Sequence, residues 1–175
     1  MKTRTSLIFG VLLGTTALAV ACSSPDTGAR VDPIGPDAEQ FKAVAPVLVR
    51  RCGSIDCHGS VFRNFRLYGY GGTRLTPGDR PDAPVVTLPA EASADYDAVI
   101  GLEPEIMRDV VRAGGAGYER LTLVRKGRNT EDHKGGQRMA PGDKADTCLV
   151  AWLSGVPDPA ACKTASCVDP TNCER

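Results

Sequence analysis

The chain has 175 residues, with 21 basic and 21 acidic side chains and a formal net charge of zero. This balance argues against a nucleic-acid-binding protein, which needs a basic surface to meet phosphates. Nineteen glycines and 13 prolines predict many loops around a single hydrophobic core.

The first 21 residues have the features of a secretion signal. Two basic residues precede an apolar run over residues 7–20, shorter than the roughly 20 residues that a membrane-spanning helix needs. The run ends in Ala19-Val20-Ala21-Cys22, which resembles the lipobox of bacterial lipoproteins. This resemblance implies that Cys22 is acylated and anchors the chain in the cell envelope, and Ser23 favours the periplasmic face of the outer membrane. The alternative is an ordinary signal peptide with an incidental cysteine.

A helix is predicted to open the folded domain. Residues 22–36 are polar and rich in proline and glycine, which predicts a flexible tether. Asp37 is a suitable N-cap, and Pro46 should either kink the helix or lie in its first turn. An apolar face follows Asp37 at helical spacing: Phe41, Val44 and Leu48. The helix leads directly into Cys52.

Two cysteines and a histidine then form the most informative motif of the chain, Cys52-Gly-Ser-Ile-Asp-Cys57-His58. Two thiols followed at once by an imidazole suit covalent haem attachment: each thiol adds to one haem vinyl group, and the histidine becomes the proximal iron ligand. The usual spacing has two residues between the cysteines, so this is a C-x4-C-H variant. The motif predicts one covalent haem c.

The middle of the chain is predicted to be mostly loop. Residues 62–75 suggest a short strand or hairpin with a break at two glycines, and 76–89 contain four prolines and suggest an extended loop. A second helix should run from Pro104 to the glycines at 114–115. For 118–126 helix and strand are both open, and the alternation of leucines favours strand.

The last predicted helix is the clearest. Asp143 caps it, it spans 144–154, and its inner face carries Trp152, the only tryptophan. We expect one domain over 37–162 and a cysteine-containing tail over 163–175. Six cysteines follow Cys22, an even number that fits either two haem thioethers with two disulfides or three disulfides. Proximity in sequence favours these disulfides: Cys148–Cys162 and Cys167–Cys173.

This order of parts resembles the small monohaem cytochrome c family. The matching segments are the helix over 37–51, the motif over 52–58, Met139-Ala140-Pro141 and the helix over 144–154. The resemblance implies a mainly α fold with long loops, in which the first and last helices pack against each other beside the haem. The long insert between His58 and Met139 departs from the family and puts the distal side in question.

Three residues are candidates for the distal iron ligand. Met139 is the preferred candidate because it matches the family position, and a thioether there would raise the reduction potential relative to two histidines. His133 is the only other histidine, and the glycines at 135–136 would let the backbone approach a porphyrin. Met107 should instead pack in the core. An open distal site is the third alternative.

A basic run could pair with haem propionates, dock an acidic redox partner, or be a solvated loop. It comprises Arg120, Arg125, Lys126, Arg128, Lys134 and Arg138.

The favoured function is a non-enzymatic electron carrier that works with redox partner proteins and touches the membrane through its lipid anchor only. Two histidines leave little general acid–base capacity. One alternative is a haem-free, disulfide-stabilised lipoprotein in which Cys52 pairs with Cys57. Another is a haem sensor or enzyme with an open distal site. A zinc site of Cys52, Cys57, His58 and Cys148 ranks last, because thiolates are hard to keep reduced outside the cytoplasm.

Overall fold

The structure is a computed structural model, and it describes residues 33–79 and 86–167. The signal over 1–21, Cys22, most of the tether and Cys173 lie outside the described residues. No helix within these two ranges is long and apolar enough to cross a membrane. The described residues from Pro33 onward belong to one compact unit.

The described ranges contain six α-helices and a 3-10 turn, and no strand. The expectation of a mainly α fold is therefore confirmed. The helices are α1 (Ala38–Cys52), α2 (Pro89–Ile100), α3 (Pro104–Arg112), α4 (Thr122–Gly127), α5 (Lys144–Leu153) and α6 (Pro159–Ser166), and the 3-10 turn spans Tyr118–Arg120.

Helix α1 is the central element, and it packs against α2, α5 and α6. The Asp37 carboxylate caps it by accepting a hydrogen bond from the Gln40 N–H at 2.9 Å. The helix begins at Ala38 and continues through Pro46, so the expectation that Pro46 lies in a first turn is wrong. Its buried face ends at Cys52, and α1 thereby places the first motif cysteine against the core.

The first and last predicted helices meet through aromatic side chains. The Phe41 and Trp152 rings lie 4.9 Å apart between centroids, and the Tyr96 ring packs edge-on at 5.6 Å from Phe41. The buried Trp152 Nε1–H donates to the Asp37 carbonyl oxygen at 2.9 Å. These contacts confirm that α1 and α5 pack together, and Asp143 caps α5 as expected.

Two predictions of β structure are wrong. Residues 62–75 form turns: Leu67 N–H donates to His58 O at 2.8 Å and Thr73 N–H to Gly59 O at 2.7 Å, which ties the segment to the motif loop, and Gly69 N–H donates to Thr73 O at 3.1 Å within the segment. The segment 118–126 forms the 3-10 turn and α4. There the Glu103 carboxylate accepts hydrogen bonds from the N–H and hydroxyl of Thr122 and so starts a helix.

Two helices were not predicted, and both begin with a proline in the first turn. Helix α2 starts at Pro89, the last residue of the segment that we expected to be an extended loop. Helix α6 continues to Ser166, so the expected boundary at Cys162 falls inside a helix. The Cys148–Cys162 disulfide joins α5 to α6 and confirms the expected pairing. Cys167 is also disulfide-bonded.

A buried polar cluster ties α2 to the turns after the motif. The Arg74 guanidinium donates to the Glu91 carboxylate at 2.6 and 3.1 Å. Asp95 accepts from the Tyr68 N–H at 2.7 Å through Oδ1, whereas its Oδ2 has no partner in the described part of the chain. Burial raises the pKa of Asp95 to about 8 against the opposing effect of the Tyr68 hydrogen bond, and the neighbouring Glu91 adds to the rise.

We predict that Asp95→Asn stabilises the protein at neutral pH. Native Asp95 keeps its proton up to a pKa of about 8, whereas an unfolded aspartate loses it near 3.8. The native state therefore holds an extra proton between these values, and the free energy of unfolding falls as the pH rises through that window. Asp95→Asn should remove this dependence of the free energy of unfolding on pH, measured by urea denaturation between pH 4 and 8. The exposed Asp97→Asn is the matched control, and an unchanged slope in Asp95→Asn would contradict the account.

Candidate functional site

The motif loop folds into a compact turn directly after α1. The His58 N–H donates to the Cys52 carbonyl at 2.9 Å, and the N–H groups of Cys57 and Gly59 donate to Ser54 O at 2.9 and 3.0 Å. These bonds fold residues 53–56, which separate the two cysteines, into one compact turn. His58 consequently returns to the side of Cys52, although five residues separate them in the sequence.

The turn depends on glycines packed backbone to backbone. A Cβ on Gly59 would clash with the Gly53 carbonyl and lie 2.8 Å from the Gly72 Cα, and a Cβ on Gly72 would lie 2.7 Å from the Gly59 Cα. Only residues without side chains allow this approach. The glycine after the motif histidine therefore has a steric role that sequence reasoning missed.

His58 is half-buried, and its Nδ1 lies 2.9 Å from the Phe65 carbonyl oxygen. Burial lowers the pKa of His58, the Phe65 contact opposes this, and the charges of His133 and Arg63 lower it further. The His58 imidazole is therefore neutral at physiological pH. Because the carbonyl can only accept, Nδ1 carries the proton, and the lone pair of Nε2 is left for a ligand.

The His133 imidazole is also held by a backbone carbonyl. Its Nδ1 lies 3.1 Å from the Gly136 carbonyl oxygen, which again selects the tautomer with a free Nε2 lone pair. A Cβ on Gly135 would lie 2.9 Å from the imidazole Cε1, so this glycine makes room for the ring. A histidine held through Nδ1 by a carbonyl is typical of metal ligands.

The two imidazoles face each other. Their ring centroids are 6.2 Å apart, and the ring planes are inclined by 19°. A metal bound at about 2 Å by one nitrogen of each ring, in line, separates the centroids by roughly 6 Å. The centroid spacing is therefore the one that a single metal between His58 and His133 requires, with one nitrogen of each ring turned toward it.

Two cavities adjoin the imidazole pair, and both are lined by His58, Lys126 and His133. The first, of about 250 Å³, is mostly apolar, and Cys52, Phe65, Leu102 and Leu123 contribute to its wall. The second, of about 580 Å³, we call the polar cavity because most of its lining residues are charged, with basic side chains in excess; its wall includes Cys57, Arg63, Lys134 and Arg138 together with Asp56 and Asp132. Each motif cysteine thus lines one cavity.

Both motif cysteines are free thiols. Burial raises the pKa of Cys52 to about 11, although the nearby charges of Arg138 and Arg51 oppose the shift. Cys52 is therefore a neutral thiol at physiological pH. The proposed disulfide between Cys52 and Cys57 is absent from the structure. The zinc site is wrong as well, because its fourth ligand, Cys148, is bound in the disulfide with Cys162.

Met139 lies in the core rather than in either cavity wall. It is 1% exposed, its N–H donates to the Gly127 carbonyl at 3.0 Å, and its methyl group occupies the space that a Gly127 side chain would fill. Gly127 itself lines the apolar cavity. The structure thus brings His133, and not Met139, beside His58. Met107 is buried in the core as expected.

The loop before His133 is tied to α4 by ion pairs. Glu131 accepts from Arg125 Nε and Lys126 Nζ, each at 2.7 Å, and Lys126 also donates to the Asp132 carbonyl at 2.8 Å. Elsewhere in the basic run, Arg128 pairs with Asp146 at 2.7 Å. Part of the run therefore has structural partners, and Lys126, one of these residues, also lines the polar cavity together with Lys134 and Arg138.

Among the described residues, no group of three or more histidine, cysteine, aspartate or glutamate side chains has the arrangement of a metal site. A haem iron needs only two protein ligands, since the porphyrin supplies the other four. No protein-family model, no curated protein and no solved structure matches this chain.

We predict that Gly59→Ala destabilises the protein by about 1–3 kcal/mol, the usual cost of forcing extra atoms into a packed site. The added methyl group would push the motif turn away from Gly53 and Gly72. Gly78→Ala is the control, because a Cβ there meets nothing within 4 Å. Denaturant unfolding measures both variants. Equal stabilities would show that the close glycine packing does not constrain the motif turn.

Proposed function

We propose that the chain is an exported, lipid-anchored c-type haem protein that carries electrons. One haem would be joined covalently to Cys52 and Cys57. The observation that carries this proposal is a pair of facing imidazoles beside two free thiols. We further propose a cytochrome c-like arrangement, which the packing of α1 against α5 supports.

His58 and His133 would hold the iron from opposite sides. Three observations support this: the 6.2 Å spacing of the rings, their small mutual inclination, and the backbone carbonyls that accept from both Nδ1–H groups. Each carbonyl keeps its ring oriented and raises the basicity of Nε2. Two imidazole ligands give a lower reduction potential than a histidine and a methionine.

The state of the cysteines favours haem attachment over the haem-free alternative. A haem-free module would gain stability from a Cys52–Cys57 disulfide, yet both residues are free while Cys148 and Cys162 are paired. In thioether formation the sulfur of each thiol bonds to one vinyl carbon, and its proton ends on the adjacent carbon. No oxidant is consumed, and the reaction requires both cysteines in the reduced, unpaired form.

The side chains around the imidazoles have distinct roles in this proposal. When bound, haem supplies an iron that alternates between Fe(III) and Fe(II). Phe65, Leu102 and Leu123 exclude water on the apolar side. On the polar side, Lys134 and Arg138 offer charge-assisted hydrogen bonds to carboxylates such as haem propionates. With an imidazole on each side of the iron, the site suits electron transfer better than ligand sensing or catalysis.

We predict that the chain matured with haem keeps its Soret absorbance on a denaturing gel and gains the mass of one haem. Cys52→Ser or Cys57→Ser should leave one thioether, and the double variant should lose haem on denaturation. Cys148→Ser is the control, because its sulfur is already bonded to Cys162. An intact mass that fits the polypeptide alone would refute the proposed function.

We propose further that Cys22 is acylated and anchors the protein at the periplasmic face of the outer membrane. Acyl chains on one residue give stable anchoring without a membrane-spanning helix, because each buried CH2 contributes about 0.8 kcal/mol. Cys22→Ala should move the protein from the membrane to the soluble fraction or leave uncleaved precursor. Mass spectrometry of the wild-type N-terminus is the direct measurement, and an unmodified N-terminus elsewhere in the chain would contradict the anchor.

A further inference from the structure

The stretch of chain that carries His133 runs from Arg128 to Met139, and we call it the His133 segment. It is anchored at both ends. At its start, the Arg128 guanidinium donates to the buried Asp146 carboxylate at 2.7 and 2.8 Å. At its end, the Met139 N–H donates to the Gly127 carbonyl oxygen at 3.0 Å. His133 lies midway between these anchors, so its position depends on further contacts within the segment.

The Lys126 ammonium group reaches this midpoint from α4. Its Nζ donates to the Asp132 carbonyl oxygen at 2.8 Å, and that carbonyl belongs to the peptide group directly before His133. The same Nζ lies 2.7 Å from a carboxylate oxygen of Glu131. Lys126 thus holds the backbone on the N-terminal side of His133, while the Gly136 carbonyl holds the imidazole from the C-terminal side.

Lys126 also lies beside the imidazole pair. Only three residues line both the apolar and the polar cavity, and they are His58, His133 and Lys126 itself. A displacement of the Lys126 side chain therefore changes the surroundings of both rings at once.

The two imidazoles are held in different ways. His58 is fixed through backbone groups, since its N–H donates to the Cys52 carbonyl at 2.9 Å and its own carbonyl accepts from the Leu67 N–H at 2.8 Å. The ion pair between Lys126 and Glu131 is instead solvent-accessible, with side chains that are 36% and 38% exposed. Such a pair is weak and is screened by salt.

We propose that Lys126 is a positioning residue for the distal ligand: its ammonium group holds the peptide before His133 in place, so that the imidazole stays opposite His58. The proposal rests on the proposed haem function and adds to it what controls access to the distal side. When the contacts of Lys126 break, the His133 segment can move with its imidazole, and the distal side opens to a small uncharged ligand such as carbon monoxide.

The test is the rate at which carbon monoxide binds to the reduced, haem-loaded full chain. Carbon monoxide can bind only after His133 has left, and because it is uncharged its rate does not report the charge of the cavity. Lys126→Met should raise the rate roughly fivefold, the factor that the loss of one exposed ion pair can supply. Lys126→Arg keeps the charge and the donors and should stay near the wild-type rate. Lys134→Met is the matched control, because it removes a positive charge from the wall of the same cavity.

Salt gives a second readout, which a purely structural role of Lys126 would not produce. At 1 M salt the Debye length falls to about 3 Å, so exposed ion pairs are weakened. Carbon monoxide binding to the wild type should therefore become faster in 1 M salt, and the acceleration should be smaller in Lys126→Met. Glu131→Gln removes the other half of the ion pair and should also speed binding, which keeps the proposal testable if Lys126→Met does not fold.

Equal rates in the wild type and Lys126→Met, or the same increase in Lys134→Met, would overturn the proposal. Hydrogen exchange of the haem-free full chain separates its failure from that of the proposed function. Lys126→Met should speed exchange of the Thr130 and Gly136 amides, whose hydrogen bonds lie in the His133 segment, and leave that of His58 unchanged. Unchanged exchange at Thr130 and Gly136 would refute the role of Lys126 even in a chain that binds haem. The expected change in a chain that never binds haem would support Lys126 as the residue that positions His133 and refute the proposed function.

Discussion

Two hydrogen bonds from imidazole Nδ1–H groups to backbone carbonyls determine what this site can bind. The Phe65 carbonyl holds His58 and the Gly136 carbonyl holds His133, so both rings keep the tautomer with a free Nε2 lone pair. If either bond were lost, the ring could rotate or change tautomer, and the facing arrangement at 6.2 Å would no longer be maintained.

The rest of the fold positions the two imidazoles from opposite directions. Phe41 and Trp152 lock α1 against α5, and the buried end of α1 delivers Cys52 and the motif turn to the core. His133 comes from the loop after α4, whose conformation depends on Glu131 and its ion pairs. These ion pairs are solvent-exposed and individually weak, whereas the aromatic core is dry. The His58 side of the site should therefore be the more rigid.

Local patterns were enough to predict part of this structure from the sequence. The caps at Asp37 and Asp143 and the apolar periodicity after them identified α1 and α5, and proximity identified the Cys148–Cys162 disulfide. Helix α4 could not be predicted in this way, because the group that starts it is the carboxylate of Glu103, which is distant in sequence. Helix α2 was missed because Pro89 resembles a loop signal, although proline is also suited to the first turn of a helix.

The candidate residues of the site could be listed from the sequence, but the contacts that bring them together could not. The motif residues and both distal candidates were identified from residue type and spacing. Which candidate lies beside His58 depends on tertiary contacts: the absent side chain of Gly127 gives the Met139 methyl group a place in the core, and the absent side chain of Gly135 gives the His133 ring its place beside His58. No local pattern encodes such a juxtaposition.

The most direct test of this account is the spectrum of the oxidised, haem-loaded protein together with His133→Ala and Met139→Ala. The account predicts a low-spin wild type without the far-red charge-transfer band of a thioether ligand, a spectrum that survives Met139→Ala and becomes high-spin or gains a new ligand in His133→Ala. A wild type that shows the thioether band, and loses it in Met139→Ala while His133→Ala changes nothing, would contradict the account.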